Sequence, residues 1–509
     1  MIAIVVSRAD SASEHIGERL LDVGDWTAHE DSIRLDSAGG GAYYRSDGFE
    51  LREFDDLHIE LDDPAEAFSE SPAYLAFVSR HSGETGKLLT AHVTGNFGPA
   101  PYGGAPATLS RAAPGAEKRV IDALATHAPD GYEVGIECTH HGPTNVSVPS
   151  LFVELGSGEQ QWADSEAASA VARAVLDLRG TSARYAPDAA DCDSAVSNDT
   201  TTGGRPRHVV GFGGGHYAPR FTRIVRETEW AVGHVGADWA LGEMGTPEAN
   251  REVIEQAFTR SDADLAVIEG DRPDLVTTIE DLGHRVVSET WVREVGSRPL
   301  ALVDQLESVI CNVDDGLRFG DVSIKSAKRG GDATRETGGD ATRETGGDAT
   351  RETGSDATQV RELPAALLTR AQGINPEATR EAVGANAVAF ETEQAGTRAA
   401  GRAAFAVGDG SPTLADLVTD LADVIKQRYD EVTIQRSEGR PGAVVASETA
   451  FDPGLAAERG VPEGPAFGRL ADGQSVEVDG ETVTPGDVSR SQTERFPIAR
   501  EPNGVRTDR

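Results

Sequence analysis

Seven residues of this chain could share a reaction centre: His81, His92, His140, His141 and His216, with Glu137 and Glu154. Histidine exchanges protons near neutral pH and binds divalent metals. Carboxylates orient imidazoles, carry protons or complete a metal's ligand set. Five of the twelve histidines fall within four short stretches that end apolar runs, so a hydrolytic or metal centre is expected. A catalytic zinc takes three or four such ligands and keeps one position for water. Adjacent residues at a strand end point to opposite sides, so His140 and His141 are not expected to share one ion.

A glycine-rich stretch, Gly211-Phe212-Gly213-Gly214-Gly215-His216-Tyr217-Ala218-Pro219-Arg220, follows the apolar pair Val209-Val210. It reads as a strand opening into a turn whose backbone can approach a ligand closely. It lies in a window, 200–226, with no Asp or Glu. Arg205, Arg207, Arg220, Arg223 and Arg226 share that window, and arginine forks bind phosphate. Two further acid-free windows, 85–116 and 138–153, hold His92, Asn96, His140 and His141. Together they read as a face that excludes negative charge to admit an anion. No G-x-S-x-G elbow, complete G-x-G-x-x-G or G-x-x-x-x-G-K-[ST] loop occurs, which argues against serine catalysis and against dinucleotide or triphosphate sites.

That exclusion is notable because the chain has 85 Asp and Glu among 509 residues and a net charge of -38. Lysine is nearly missing, and arginine supplies most of the basic residues. Such a surface suits a salt-saturated cytoplasm, and it bears on solubility rather than fold. The three cysteines are far apart, so no disulfide framework or cysteine zinc site is expected. Met1–Arg8 reads as a first strand, not a signal peptide, and no apolar run approaches a membrane span. A soluble, cytoplasmic protein is expected.

The elements that must position these residues alternate. Ile2–Val6, Leu75–Ser79, Leu88–Val93, Tyr132–Cys138 and Leu151–Leu155 read as strands, and 117–127 and 165–178 as helices with one apolar face. The pattern stops at 179–207, read as an insertion, and resumes with strands at Val209, Ala231–Gly236 and Leu265–Glu269. A helix starts at Pro247, with Thr246 as its N-cap, and the last helix spans Leu300–Ile310. An α/β layer fold with a largely parallel sheet follows, and ligands gather at the carboxyl ends of such strands. A Gly-Gly-Asp-Ala-Thr-Arg-Glu-Thr octad repeats within 326–360. It has no large apolar side chain to bury and reads as a disordered linker. A C-terminal α/β module, 361–509, follows.

Together, His81-Ser82, Leu89 to Asn96, Glu137 to Thr144, Phe152 to Ser157 and Gly213 to Arg220 resemble the archaeal and plant-type D-aminoacyl-tRNA deacylases. The resemblance covers 1–312. It implies a phosphorylase/hydrolase-like α/β fold, a monomer, two zinc ions, and hydrolysis of the ester between a D-amino acid and the 3′ end of tRNA. The resemblance carries over no catalytic assignment; the residues themselves point to His140, His141, His216 and Glu137 as catalytic and to His92, His140, His216 and Glu154 as metal ligands. Gly213, Gly214, Gly215, Tyr217, Arg220, Arg223 and Asn96 hold the tRNA end, with base stacking on Phe97, Tyr102 or Tyr217. Cys138 departs from the family, where a small residue is common. Two rival readings are a zinc hydrolase of a small substrate and a non-catalytic tRNA-binding protein.

Overall fold

A computed structural model describes residues 1–187, 204–323, 358–437 and 440–498. Parts of the 179–207 insertion, most of the 326–360 linker and the end of the C-terminal module lie outside these residues. The chain forms two units, Met1–Leu300 and Ala301–Arg509.

The first unit opens with β1 (Ile2–Ser7), α1 (Ser11–Val23), β2 (Thr27–Asp31), β3 (Gly41–Ser46), β4 (Phe49–Phe54), β5 (Tyr74–Arg80) and β6 (Leu88–His92). A small hairpin, β7 (Gly95–Asn96) and β8 (Thr108–Leu109), precedes α2 (Pro114–His127). Then come β9 (Glu133–Ile136), β10 (Ser150–Gly156), α3 (Glu159–Trp162) and α4 (Ser165–Leu176). Eight strands form one sheet in the order β2-β3-β4-β1-β5-β10-β6-β9. Its centre, β4-β1-β5-β10, is parallel. β6 runs antiparallel to β10 and parallel to β9.

The central strands are buried along their length, as continuous apolar runs covered on both faces should be. Asp10 caps α1 by accepting from the Ala12 and Ser13 amides, and Asp164 caps α4 likewise. The expected faces are buried: Val120, Ile121 and Leu124 on α2, and Ala168, Val171, Ala172 and Val175 on α4. The β2–β4 ribbon has no counterpart among the expected strands. β2 is exposed along most of its length, so it shows no apolar run.

The pattern that resumes after the insertion builds a separate sheet. It comprises β11 (His208–Phe212), α5 (Pro219–Glu227), β12 (Ala231–Gly236), α6 (Asp238–Met244), α7 (Arg251–Ser261), β13 (Leu265–Ile268), α8 (Pro273–Asp281), β14 (Arg285–Val286) and α9 (Glu289–Val295). The order is β12-β11-β13-β14, all parallel. Thr246 does not cap the helix. A 3-10 turn, Glu248–Asn250, follows Pro247, and α7 begins at Arg251 without a side-chain cap. Its Val253, Ile254, Ala257 and Phe258 are buried as their spacing predicts.

The second unit mixes helices with a four-stranded and a three-stranded sheet. Its largest core gathers Leu367, Val383, Phe390, Leu417, Leu421 and Val444. Among the described residues, no helix is long and apolar enough to cross a membrane.

Candidate active site

Strand register places the first part of the site. Phe152 on β10 sits opposite Phe77 on β5 and His92 on β6, and Glu154 sits opposite Ser79 and Thr90. Residues directly opposite share a sheet face. The Phe77, Phe152 and His92 rings accordingly stack, with centroids 4.6 and 5.2 Å apart. Ser79 Oγ donates to Glu154 Oε1 at 2.7 Å. His81 follows β5 and turns over Gly156, where a Cβ would stand 2.7 Å from its imidazole.

Loops after β9 and β11 bring the rest. His216 Nε2 lies 2.8 Å from Glu137 Oε2, and Glu137 Oε1 lies 3.0 Å from His81 Nδ1. That nitrogen is 3.5 Å from Glu154 Oε2, and Glu154 Oε1 is 3.5 Å from His92 Nε2. The result is an alternating imidazole–carboxylate chain. His81, a candidate to which the sequence assigned no specific catalytic or metal role, stands at its centre. Its Nε2 faces the Tyr217 hydroxyl at 3.3 Å.

The electrostatics divide this chain from the other two histidines. Burial opposes charge on His81, but hydrogen bonds to Glu137 and Glu154 outweigh it and raise its pKa to about 11. Burial likewise disfavours ionised Glu137, yet His216 and His81 hold it well below the usual carboxylate range. Burial and the neighbouring His141 and His92 push His140 well below the ordinary histidine value. Burial and His92 take His141 down to about 4.

His140 and His141 do not diverge as adjacent strand residues would. His141 takes a left-handed φ of 49°, which breaks the extended alternation. Their rings lie 4.4 Å apart, and both pack beside His92. The Nδ1 atoms of His140, His141 and His92 lie 2.8, 2.6 and 3.2 Å from the carbonyls of Cys138, Gly142 and Val93. A carbonyl only accepts, so each Nδ1 carries the proton; the Nε2 atoms of His140 and His141 are left for a ligand, and that of His92 faces Glu154 Oε1 at 3.5 Å.

The donor set fits a metal ion. One ring nitrogen each from His92, His140 and His141 cluster within 4.8 Å, and so do Cys138, His140 and His216. A third group joins His81, Glu137 and Glu154. His92 Nε2 is buried with no hydrogen-bond partner. Imidazole and thiolate donors suit zinc. The four expected ligands do not form one group: His92 and His140 share one, His216 joins Cys138, and Glu154 belongs with His81. Cys138 also places a cysteine within a candidate zinc site, against the expectation from cysteine spacing. It has no Cys partner at short spacing, so only the fold could reveal it.

The glycine turn is filled by protein. Gly213 and Gly214 have φ of 94° and 79°, and added Cβ atoms would stand 2.2 Å from the Glu269 carbonyl oxygen and 2.7 Å from its Oε2. The Gly213 amide donates to the Gly236 carbonyl at 2.8 Å. Gly215 faces open space. Arg220 and Arg223 both bind Glu289, at 3.1 and 2.8 Å. The Asn96 amide donates to the Gly103 and Ala105 carbonyls, so it shapes the loop that carries Tyr102. Phe97 is buried against Phe212, Leu241 and Met244 and offers no free face for a base.

A cavity of about 530 Å³ opens beside the histidines. His140, His141, His216, Asn96, Tyr102 and Trp239 line it, and Glu243 is the only acid in its lining. Trp239 and Glu243 come from α6, outside every motif singled out on sequence.

A family model described as D-aminoacyl-tRNA deacylase matches residues 68–287. A D-aminoacyl-tRNA deacylase of Halorubrum lacusprofundi is 65% identical, covering 98% of this chain and 97% of that protein. One from Natronomonas pharaonis is 51% identical, covering 97% and 100%. A crystal structure described as a conserved protein of unknown function, AF0625, is 30% identical with a TM-score of 0.48, covering 58% of this chain and 96% of that one. On the strength of these full-length relatives, the chain belongs to the D-aminoacyl-tRNA deacylase family.

Proposed function

We propose that this chain acts in the cytoplasm, as a monomer, to hydrolyse the ester joining a D-amino acid to the 3′ end of tRNA. The observation that carries this reading is the convergence of His92, His140 and His141, each Nδ1 committed to a carbonyl, beside a cavity large enough for a ligand. Ester hydrolysis takes a proton from water and returns one to the leaving hydroxyl. His216 is the exchanger: its side chain is 31% exposed, against 16% for His140 and 5% for His81. Glu137 fixes its Nε2, leaving Nδ1, 3.5 Å from the Cys138 sulfur, to carry the proton. A zinc ion held by His92, His140 and His141 would polarise the ester carbonyl and supply a nucleophile at neutral pH. Tyr217 holds the charged His81 in place. Gly95, Gly98, Pro99 and Pro101 line the same cavity, and on this reading their backbone is the wall that excludes the L side chain.

A polyanion can approach despite the charge of -38. At molar salt the Debye length is about 3 Å, and the cavity lining is poor in acids. The test is deacylation of D-tyrosyl-tRNA in molar KCl by wild type and by His140→Ala. Wild type releases D-tyrosine and the variant does not; equal rates would refute the assignment of the site.

A further inference from the structure

The geometry points to a subsite for the terminal adenine of tRNA, formed by Trp239 and Tyr102. It rests on the ester-hydrolysis reading above. Large aromatic side chains of this unit are mostly buried: Trp230 and Trp291 are 0% and 2% exposed. Trp239 and Tyr102 are 43% and 66% exposed, and both line the cavity beside His140, His141 and His216. Solitary exposed aromatics need no explanation, but two on the lip of one reaction cavity do.

Both are tied to the histidines. Trp239 stands on α6 at the lip of the cavity. Its ring is 6.4 Å from that of His216, tilted by 29°. The Tyr102 carbonyl accepts from the Gly142 amide at 3.1 Å, tying its loop to the histidine pair. The two walls are also packed on each other. A Cβ at Gly98 would stand 3.0 Å from the backbone of Glu243 and Met244, so glycine lets the loop rest on α6. The slot is therefore preformed rather than assembled by the ligand.

The chemistry of the substrate selects the occupant. The ester sits on the ribose of the last nucleoside, so that nucleoside's base must lie next to the reacting carbonyl. A purine is flat, uncharged and strongly stacking, and aromatic side chains take it by its face. Stacking also survives molar salt, where phosphate contacts lose affinity.

The experiment compares three esters of D-tyrosine, on tRNA, on adenosine and as the methyl ester, in molar KCl. Trp239→Ala and Tyr102→Ala raise KM for both adenosine-bearing esters about ten- to hundred-fold relative to the methyl ester, with little change in kcat. Trp239→Phe restores most of the loss. An equal loss on the methyl ester would overturn the subsite. If wild type cleaves no D-tyrosyl ester, the hydrolase reading has failed separately. Titration with adenosine 5′-monophosphate then decides: quenching of tryptophan fluorescence that Trp239→Phe abolishes supports the subsite, and no quenching overturns it.

Discussion

Glu137 Oε2 accepts from His216 Nε2 at 2.8 Å, across 79 residues of sequence. The contact joins the loop after β9 in the eight-stranded sheet to the loop after β11 in the four-stranded one. The centre is thus assembled between two sheets of one unit.

Replacing that carboxylate should disable the centre. Glu137→Gln leaves His81 buried at 4% exposure with a single carboxylate, and removes the orientation of His216. We expect kcat on D-tyrosyl-tRNA to fall at least about 100-fold, a typical acid–base contribution. Unchanged circular dichroism confirms that the fold survives. A loss under threefold would contradict the role of the network.

Metal content tests the histidine cluster without relying on turnover. Purified His92→Ala, His140→Ala and His141→Ala proteins should each bind less zinc than wild type by mass spectrometry. Glu289→Gln, remote from the cluster, should not. Wild-type stoichiometry in all three histidine variants would remove them as ligands.

Glu289 tests the arginines. Arg223 and Arg293 hydrogen bonds hold its pKa at about 2, against some opposition from burial, so it is ionised and competes with any phosphate for Arg220 and Arg223. Glu289→Gln should lower KM for D-tyrosyl-tRNA by about two- to five-fold through removal of a like charge. An unchanged KM would leave the arginines as fold contacts only.

A buried acid sets a pH dependence of stability. Glu117 on α2 is 1% exposed, and neither carboxyl oxygen has a partner. Burial raises its pKa from 4.5 to about 8, with slight opposition from His92. Between those values the folded state keeps a proton that the unfolded state releases. Its contribution to stability is therefore full below pH 4.5 and lost as pH rises through 8. Glu117→Gln should flatten the fall of unfolding free energy between pH 5 and 8, by up to about 1.4 kcal/mol per pH unit. An identical pH slope in the variant would contradict the assignment.

The glycine turn separates strain from space. Gly213→Ala meets both a positive φ and the Glu269 carbonyl and should cost about 3 kcal/mol. Gly215→Ala meets nothing within 4 Å and should leave Tm nearly unchanged. Equal Tm values would refute the packed turn.

The apolar runs of β1, β5, β6 and β10 made the core strands legible, because these strands are buried along their length. The histidines and glutamates were legible as chemistry because they cluster at strand ends. Their grouping was not. Alternation fails at His141, where a left-handed residue redirects the ring. The window 200–226 is free of acids in sequence but not in space: Glu289, Glu269 and Glu137 reach Arg220, Gly214 and His216 from other elements. Trp239 carried no signal, since its place beside His216 depends on packing of the second sheet. β2, exposed along most of its length, lacked the apolar pattern that marks a strand.

The most direct test is the release of D-tyrosine and of L-tyrosine from tRNA in molar KCl, before chelation, after it, and after zinc is restored. The account predicts rapid cleavage of the D ester, little of the L ester, loss with chelator and recovery with zinc. Equal rates on the two enantiomers, or activity indifferent to the chelator, would contradict it.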